Sequence, residues 1–561
     1  MKSRILCATL PMLLLAADVP KVNFVDIATR SGLAAPTTYG GKLKKNYILE
    51  ATGTGATIFD FDGDGANDIF IANGTTLDKL TMGKLTTPTP SFLYHNDGKG
   101  HFTDVAKQAG LTKSGWAQAG CAADFDNDGH TDLFVTYYGH NTLYRNLGKG
   151  HFADISQAAG FNNGPDRWGA GCAFVDYDRD GFVDIFVSSY VDFDLAATPT
   201  PGSPKGCEWK GLNVMCGPAG LPKGHNSLFH NNHNGTFTEV SEPAGILSPG
   251  GRYGLGVVAA DFDNDGWPDI YVACDQTPSL LYHNLHNGTF EEIGERSGVA
   301  FNADGHLQAG MGVAVADFEG KGHLGIAKTN FSGDRPSLYR NEDGAFFEDI
   351  SEPAGLWRHQ LLGWGVLFTD VDDDGLPDLM MANGHVYPEV SGSQVGETYK
   401  QKTLLYLNKG VGKFEDATAT GGLAFTPLRP SRGLAAGDLD GDGRPEIVIV
   451  NMNEAPSLLK NMGARGNWVA VALEGKVSNR SAIGARVTLE ADGKKQMQEV
   501  AAGGSYFSQN STTLYFGLGK ATKLDKLEIK WPSGAAQTWT TVPGGRTLKI
   551  AEGSDRLVSP D

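Results

Sequence analysis

The chain contains no run of basic residues and only one long apolar stretch, from Ile5 to Leu15. Without clustered Lys and Arg there is no electrostatic footprint for nucleic acid. An apolar stretch that short cannot span a bilayer. No Ser/His/Asp order, zinc-ligand spacing or phosphate loop is present, so hydrolytic, zinc and nucleotide chemistry lack their usual carriers. Glycine-rich pieces such as Gly53-Thr-Gly55 do not supply one, because the chain holds 75 glycines. Cysteine is scarce, at six in 561 residues. Positive charge is in deficit, with 47 Lys and Arg against 65 Asp and Glu for a formal charge of −18.

The acidic residues are concentrated in seven copies of one turn, beginning at Asp60, Asp124, Asp176, Asp261, Asp317, Asp370 and Asp438. Six copies keep a carboxylate at positions 1, 3, 5 and 9 with Gly at position 6. They are Asp60, Asp62, Asp64 and Asp68; Asp124, Asp126, Asp128 and Asp132; Asp176, Asp178, Asp180 and Asp184; Asp261, Asp263, Asp265 and Asp269; Asp370, Asp372, Asp374 and Asp378; and Asp438, Asp440, Asp442 and Glu446. Alternate side chains of an extended segment face the same way, so positions 1, 3 and 5 converge on one point. Gly at position 6 permits the positive φ that wraps the chain, and the position-7 carbonyl and position-9 carboxylate complete an oxygen shell. Oxygen ligands without His or Cys favour Ca²⁺. One such turn alone would as readily be a solvated hairpin. Six matching sets predict a calcium loop, with about six ions per chain.

An EF-hand would need Glu at position 12 on a helix. Here apolar runs such as Ile69-Phe-Ile and Leu133-Phe-Val follow at once, so the loops join strands. The first Asp residues lie 64, 52, 85, 56, 53 and 68 apart, which leaves room for a four-stranded unit plus loops. Each unit also carries a Leu-Tyr-x-Asn strand (Leu93, Leu143, Leu228 with Phe229, Leu281, Leu338, Leu405) and a Phe-x-Asp/Glu mark (Phe102, Phe152, Phe237, Phe290, Phe347, Phe414). The last unit lacks the second mark, and the missing copy stands at the N-terminus as Phe24-Val-Asp. One unit split between the two ends predicts a closed ring that leaves only short, protected strand edges. The expected fold is all-β: a seven-bladed β-propeller over 18–463 with a C-terminal β-sandwich-like domain over 464–555.

The repeated Asp-x-Asp-x-Asp-Gly-x-x-Asp loops with their Leu-Tyr-x-Asn neighbours resemble the FG-GAP/VCBS repeats of the integrin α-subunit head and of the cartilage acidic protein family. The C-terminal pieces Ser478-Asn-Arg-Ser-Ala-Ile-Gly-Ala-Arg486, Gly504-Ser-Tyr-Phe-Ser-Gln509, Phe516-Gly-Leu-Gly519 and Trp531-Pro-Ser-Gly534 look like an ASPIC/UnbV domain. The resemblance implies fold and metal. It does not imply an activity, because one propeller fold serves in adhesion, lectins and lyases.

Lys2 and Arg4, the apolar run and Ala16-Ala17 read as a secretory signal over 1–17, so a secreted, periplasmic or cell-surface protein is expected. Cys207 and Cys216, nine apart in the long third interval, are expected to form a disulfide. Cys121, Cys172 and Cys274 are expected to be small buried hydrophobes. The six intact loops hold 24 carboxylates, so the remainder of the chain is +6 and six Ca²⁺ would bring the total to −6. The acidity is local and implies no basic partner.

The fifth loop, Asp317-Phe-Glu-Gly-Lys-Gly-His-Leu-Gly325, lacks carboxylates at positions 5 and 9 and is expected to bind no calcium. Either Lys321 pairs with Asp317 and Glu319 in place of the ion, or it is a surface lysine in a decayed loop. Ahead of the loops lie Glu50, Trp116, Arg167 with Trp168, Arg252 with Tyr253, His306 with Gln308, His359, and Arg429 with Arg432, which could converge at the mouth of the ring. His95, His140 and His283 are read as solvated turn residues. Two functions follow. One is a calcium-stabilised interaction module for a protein or glycan. The other is a lyase or isomerase acting on a carbohydrate or other polar small molecule, with Arg167 and Arg252 holding an anionic group and His306 or His359 moving protons.

Overall fold

A computed structural model describes residues 20–77, 80–81, 84–85, 89–161, 166–342, 344, 346–358 and 360–559. The expected signal segment, with Cys7, and His359 lie outside these residues. Each repeat is a four-stranded antiparallel sheet in which the acidic loop joins strands one and two. The Leu-Tyr-x-Asn segment forms strand three and the Phe-x-Asp/Glu segment strand four. In the fourth repeat the strands are Gly254–Ala260, Asp269–Cys274, Leu280–Asn284 and Phe290–Glu292.

Seven such units stand in a ring, because their first strands touch in cyclic order. The order runs through Ala56–Phe59, Trp116–Ala123, Arg167–Val175, Gly254–Ala260, Gly310–Ala316, Gly363–Thr369 and Ser431–Gly437, which meets Ala56–Phe59 again. The ring closes as the split repeat requires: Phe24–Asp26 is the outer strand of the last unit, antiparallel to Ser457–Asn461, with Phe24 opposite Asn461. The second strands are buried along nearly their whole length, which is why they read as largely apolar runs. Between neighbouring units Phe186 and Leu228 pack against Ile270, Val272, Leu280 and Tyr282.

The Gly-x-Gly pairs ahead of the loops have a steric cause. A Cβ on Gly312 would sit 2.1 Å from the Trp364 carbonyl oxygen of the next unit, so adjacent first strands approach too closely for any side chain. The Cys207–Cys216 disulfide is present. Cys121 and Cys172, expected to be separate buried thiols, form a second disulfide with Cα atoms 6.2 Å apart. They lie 51 residues apart, about one repeat, on the first strands of consecutive units, and ring closure sets those strands side by side. Cys274 is a buried free thiol.

The C-terminal segment forms two sheets. One holds Leu514–Gly519, Asn467–Glu474 and Arg546–Ala551, the last pair parallel, and the other holds Lys494–Glu499, Arg486–Ala491, Lys523–Lys530 and Ala536–Pro543. Between the sheets the chain enters the ring. Ala502–Gly503 pairs with Ala173 and Phe174 of unit three, and the Ser505 carbonyl accepts from Val313 N at 2.8 Å in unit five. Ser505 Oγ accepts from Val366 N at 3.1 Å in unit six, and Asn510 Oδ1 accepts from Ala436 N at 2.9 Å in unit seven. Gln509 bonds the main chain of Ala56 and Ile58 in unit one and, through its amide, both sides of Ala122 in unit two. In unit four a Cβ on Gly256 would stand 3.0 Å from the Ser505 carbonyl. Residues 502–511, with Gly504-Ser-Tyr-Phe-Ser-Gln509 at their centre, are thus a plug, hydrogen-bonded to six units and packed against the remaining one, unit four.

Deleting residues 20–33 removes the closing strand and exposes the edge of Ser457–Asn461. Size-exclusion chromatography of that variant is expected to show aggregates. A soluble monomer with a cooperative melt would mean that the ring closes another way.

Candidate metal-binding loops

The acidic loops are shaped by their own carboxylates. In the first, Asp60 accepts from Gly63 N at 2.8 Å and Gly65 N at 2.9 Å, and Gly65 sits at φ +92°. Asp68 accepts from Phe61 N at 3.1 Å with one oxygen and from Asn96 N at 2.8 Å with the other. The position-6 N–H bonds the first carboxylate in every loop, including Gly322 N to Asp317 at 2.7 Å in the fifth. This scaffold brings ligand oxygens of Asp60, Asp62 and Asp64, and of Asp124, Asp126 and Asp132, within 4.8 Å of one another.

Such crowding opposes ionisation. Burial, then the charges of Asp180 and Asp178, pushes Asp176 up to about 7. Burial and Asp374 raise Asp370 to about 8. Burial is also the main reason that Asp68 and Asp184 stand near 8 and Asp124 and Asp263 near 6. Asp126, Asp178, Asp372 and Asp440, all at position 3, each keep a buried oxygen with no hydrogen-bond partner, as does Asp176, itself 4% exposed. Unpartnered anionic oxygens converging on one point suit a cation among them, and a hard divalent ion would keep all four carboxylates charged.

The Asn of each Leu-Tyr-x-Asn strand links loops of adjacent units. Asn231 Nδ2 donates to the Phe125 carbonyl of the preceding loop at 2.8 Å and to the Val183 carbonyl of its own at 3.0 Å. Asn96, Asn146, Asn284, Asn341, Asn408 and Asn461 likewise reach position 2 of the preceding loop around the ring. The residue before this Asn faces the acidic loop. His95 and His283, expected in solvated turns, therefore lie on strands, as does His230, with Nδ1 3.1–3.5 Å from the position-9 carboxylates Asp68, Asp184 and Asp269. Arg145 stands 2.6 Å from Asp126, and Lys460 meets Asp440, Asp442 and Glu446. Arg145, His230 and Lys460 carry no sequence signal by themselves, and only the pairing of their strand with the loop, together with side-chain alternation, places them.

In the fifth loop Lys321 Nζ reaches Glu319 at 2.9 Å. It does not pair with Asp317, whose oxygens instead accept from the Lys321 and Gly322 N–H groups at 2.9 and 2.7 Å, because the turn itself uses that carboxylate.

Among the described residues, the charged groups expected at the mouth do not converge, while Trp116, Trp168 and Tyr253 share one buried core cluster. Arg167 is half-exposed and pairs with Glu239 at 3.0 Å, Arg252 donates to the Gly251 carbonyl, and His306 lies in an exposed turn. Arg432 is fully buried under Trp364, 4.1 Å from the ring centroid, and donates to the Ala51 and Ser431 carbonyls. Glu50 accepts from Gly41 N and Asn46 N, and Arg429 pairs with Glu454 at 3.0 Å. Trp116 packs edge-to-face on Tyr39, and Trp168 on Tyr190. Over this end lies the long third interval, whose Trp209 packs on His385 and Tyr387 and whose Lys210 bonds Glu397 at 2.7 Å. The C-terminal sheets dock on the opposite, acidic-loop end. There Arg486 bonds the Asp261 carbonyl at 2.7 Å and stands 3.3 Å from its carboxylate, Arg480 lies 3.7 Å from Asp124, and Lys494 donates to the Asp374 carbonyl at 2.9 Å.

The FG-GAP-like repeat family matches residues 60–135, 124–187, 214–272, 261–327 and 387–449, together more than half of the chain. An ASPIC and UnbV domain matches 475–557. Cartilage acidic protein 1 of Xenopus tropicalis is 28% identical over 302 residues, 52% of this chain and 43% of that protein. Its Homo sapiens counterpart is 26% identical over 307 residues, 53% of this chain and 43% of that one. The matched segment thus spans under half the length of these relatives. Among solved structures, the Dos1 propeller overlaps with a TM-score of 0.36 at 8% identity, covering 77% of this chain and 97% of that chain. An Agrocybe aegerita lectin that recognises non-reducing terminal N-acetylglucosamine overlaps with a TM-score of 0.38 at 17% identity, covering 66% and 81%. Overlaps of that degree say nothing about a ligand.

Replacing Asn231 by Ala breaks its link to the neighbouring unit and strands two carbonyls, at an expected cost of about 2–3 kcal/mol by chemical denaturation. Asn232→Ala next to it, where the side chain is exposed, should cost no more than about 0.5 kcal/mol. Equal effects would show that the inter-unit link contributes no stability.

Proposed function

We propose, for a chain that belongs to the FG-GAP-like repeat family and carries an ASPIC and UnbV domain, that it is an exported, calcium-stabilised propeller binding a protein or glycan. The observation that carries this is the distribution of the long loops. Those after Ser189 and after Asn383 both connect second to third strands, so they project from one end of the ring and meet there through Trp209 and His385. In repeat folds the end that gathers insertions is commonly the binding face. The other end is taken up by the acidic loops and the C-terminal sheets, and the channel between them by residues 502–511. Two disulfides support export, since thiols are kept reduced in the cytosol. Among the described residues no helix is long and apolar enough to cross a membrane.

Calcium serves this module structurally. Bound in the acidic loops, it would neutralise carboxylates that otherwise repel one another and hold the turns between first and second strands. Asp62, Asp178 and Asp372, at position 3 in loops one, three and six, are the ligands nearest to free choice, because the position-1 and position-9 carboxylates are already engaged by the main chain.

Because the ion binds only the folded loops, millimolar Ca²⁺ should raise the melting temperature well above that of an EDTA-treated sample, by mass action. Identical melts would contradict calcium binding. A glycan array and a set of extracellular proteins test the binding face. Replacing residues 196–222 with a short Gly-Ser linker should abolish any interaction found while leaving the calcium-dependent melt in place. Retained binding would move the site elsewhere.

A further inference from the structure

The third-strand side chain facing each acidic loop is not the same in every repeat. In the sixth it is Leu407, which offers no charge. In the second it is Arg145, 44% exposed, near Asp126 and Asp128 only. In the seventh it is Lys460, 15% exposed, whose Nζ lies against Asp440, at 2.8 Å from Asp442 and at 3.0 Å from Glu446. Those are positions 3, 5 and 9 of the loop, three of the four carboxylates that would ligate an ion. Arg465 adds a second cation 3.5 Å from Asp442.

We propose that Lys460 is the resident cation of the seventh loop, so this loop carries a built-in ammonium where the other five intact loops take calcium. The inference rests on the calcium reading above for those other loops. An ammonium with three donors can satisfy three carboxylates at once, and it is tethered to the strand beside them, so it needs no ion concentration. A divalent cation entering this loop would have to expel a largely buried Lys whose partners would then all be ion ligands. The substitution of Glu for Asp at position 9, found only in this loop, fits the same role: the longer side chain of Glu446 reaches Lys460 with one oxygen while the other accepts from Leu439 N at 2.9 Å. The guanidinium of Arg145 differs because it is half-exposed and can swing into solvent, leaving the second loop to its ion. The chain then holds five calcium ions rather than the six that carboxylate counting gives.

Metal analysis and melting curves of the full chain test this, using calcium alone as the probe. Wild type should carry about five ions, Asp440→Asn should leave that count unchanged, and Lys460→Leu, which copies the sixth repeat, should raise it to about six. Arg145→Leu should change nothing in the count. In EDTA, Lys460→Leu should melt several degrees below wild type and recover in calcium. A wild-type count of six that falls with Asp440→Asn would overturn the proposal, as would a Lys460→Leu protein that melts like wild type in EDTA. The EDTA melt decides even if no loop binds calcium, an outcome that would by itself overturn the calcium-stabilised module.

Discussion

The ring depends on one repeated contact, the bond from a third-strand Asn to the position-2 carbonyl of the preceding acidic loop. Each Asn also donates its own N–H to the position-9 carboxylate where that residue is Asp, as Asn231 N does to Asp184 at 2.8 Å. A loop therefore cannot change shape without disturbing the next unit, and an ion that fixes the loop also fixes the joint between units. This joins two requirements that look separate in the sequence, carboxylates for a cation and an Asn for a strand. In a repeat fold whose units contact only their neighbours, such a joint sets cooperativity.

The plug adds contacts that a nearest-neighbour ring lacks. Residues 502–511 touch the first strands of all seven units, and Tyr506 packs on Trp364 with its hydroxyl donated to the Thr52 carbonyl at 3.1 Å. The C-terminal sheets, docked through Arg480 and Arg486 on the second and fourth loops, hold that segment in place. Loop chemistry, docking and the filled channel are thus coupled. They leave the opposite end, with its disulfide-stapled insertion, free to differ in sequence.

Much of this was legible in advance. Period, the split repeat and the acidic spacing are local patterns, and they led to the strands, the closure by Phe24–Asp26 and the turn geometry at Gly65. Three things were not legible. The Cys121–Cys172 bond requires knowing that first strands of consecutive units lie side by side, a fact of closure rather than of composition. The entry of Gly504–Gln509 into the channel is a long-range contact with no periodic signature, and it turns the expected mouth pocket into packed core around Arg432. The side chains facing the loops were hidden because His95, His283 and Lys460 belong to a different strand from the carboxylates they meet.

On the proposed calcium reading, loops, unit joints and plug form one cooperative structure that responds to the ions in the loops. Hydrogen–deuterium exchange followed by mass spectrometry, with calcium and after its removal, tests it most directly. Removing calcium is expected to speed exchange together in the acidic loops, in the third strands bearing Asn146, Asn231 and Asn284, and in residues 502–511. Faster exchange confined to the acidic loops, with the strands and the plug unchanged, would contradict it.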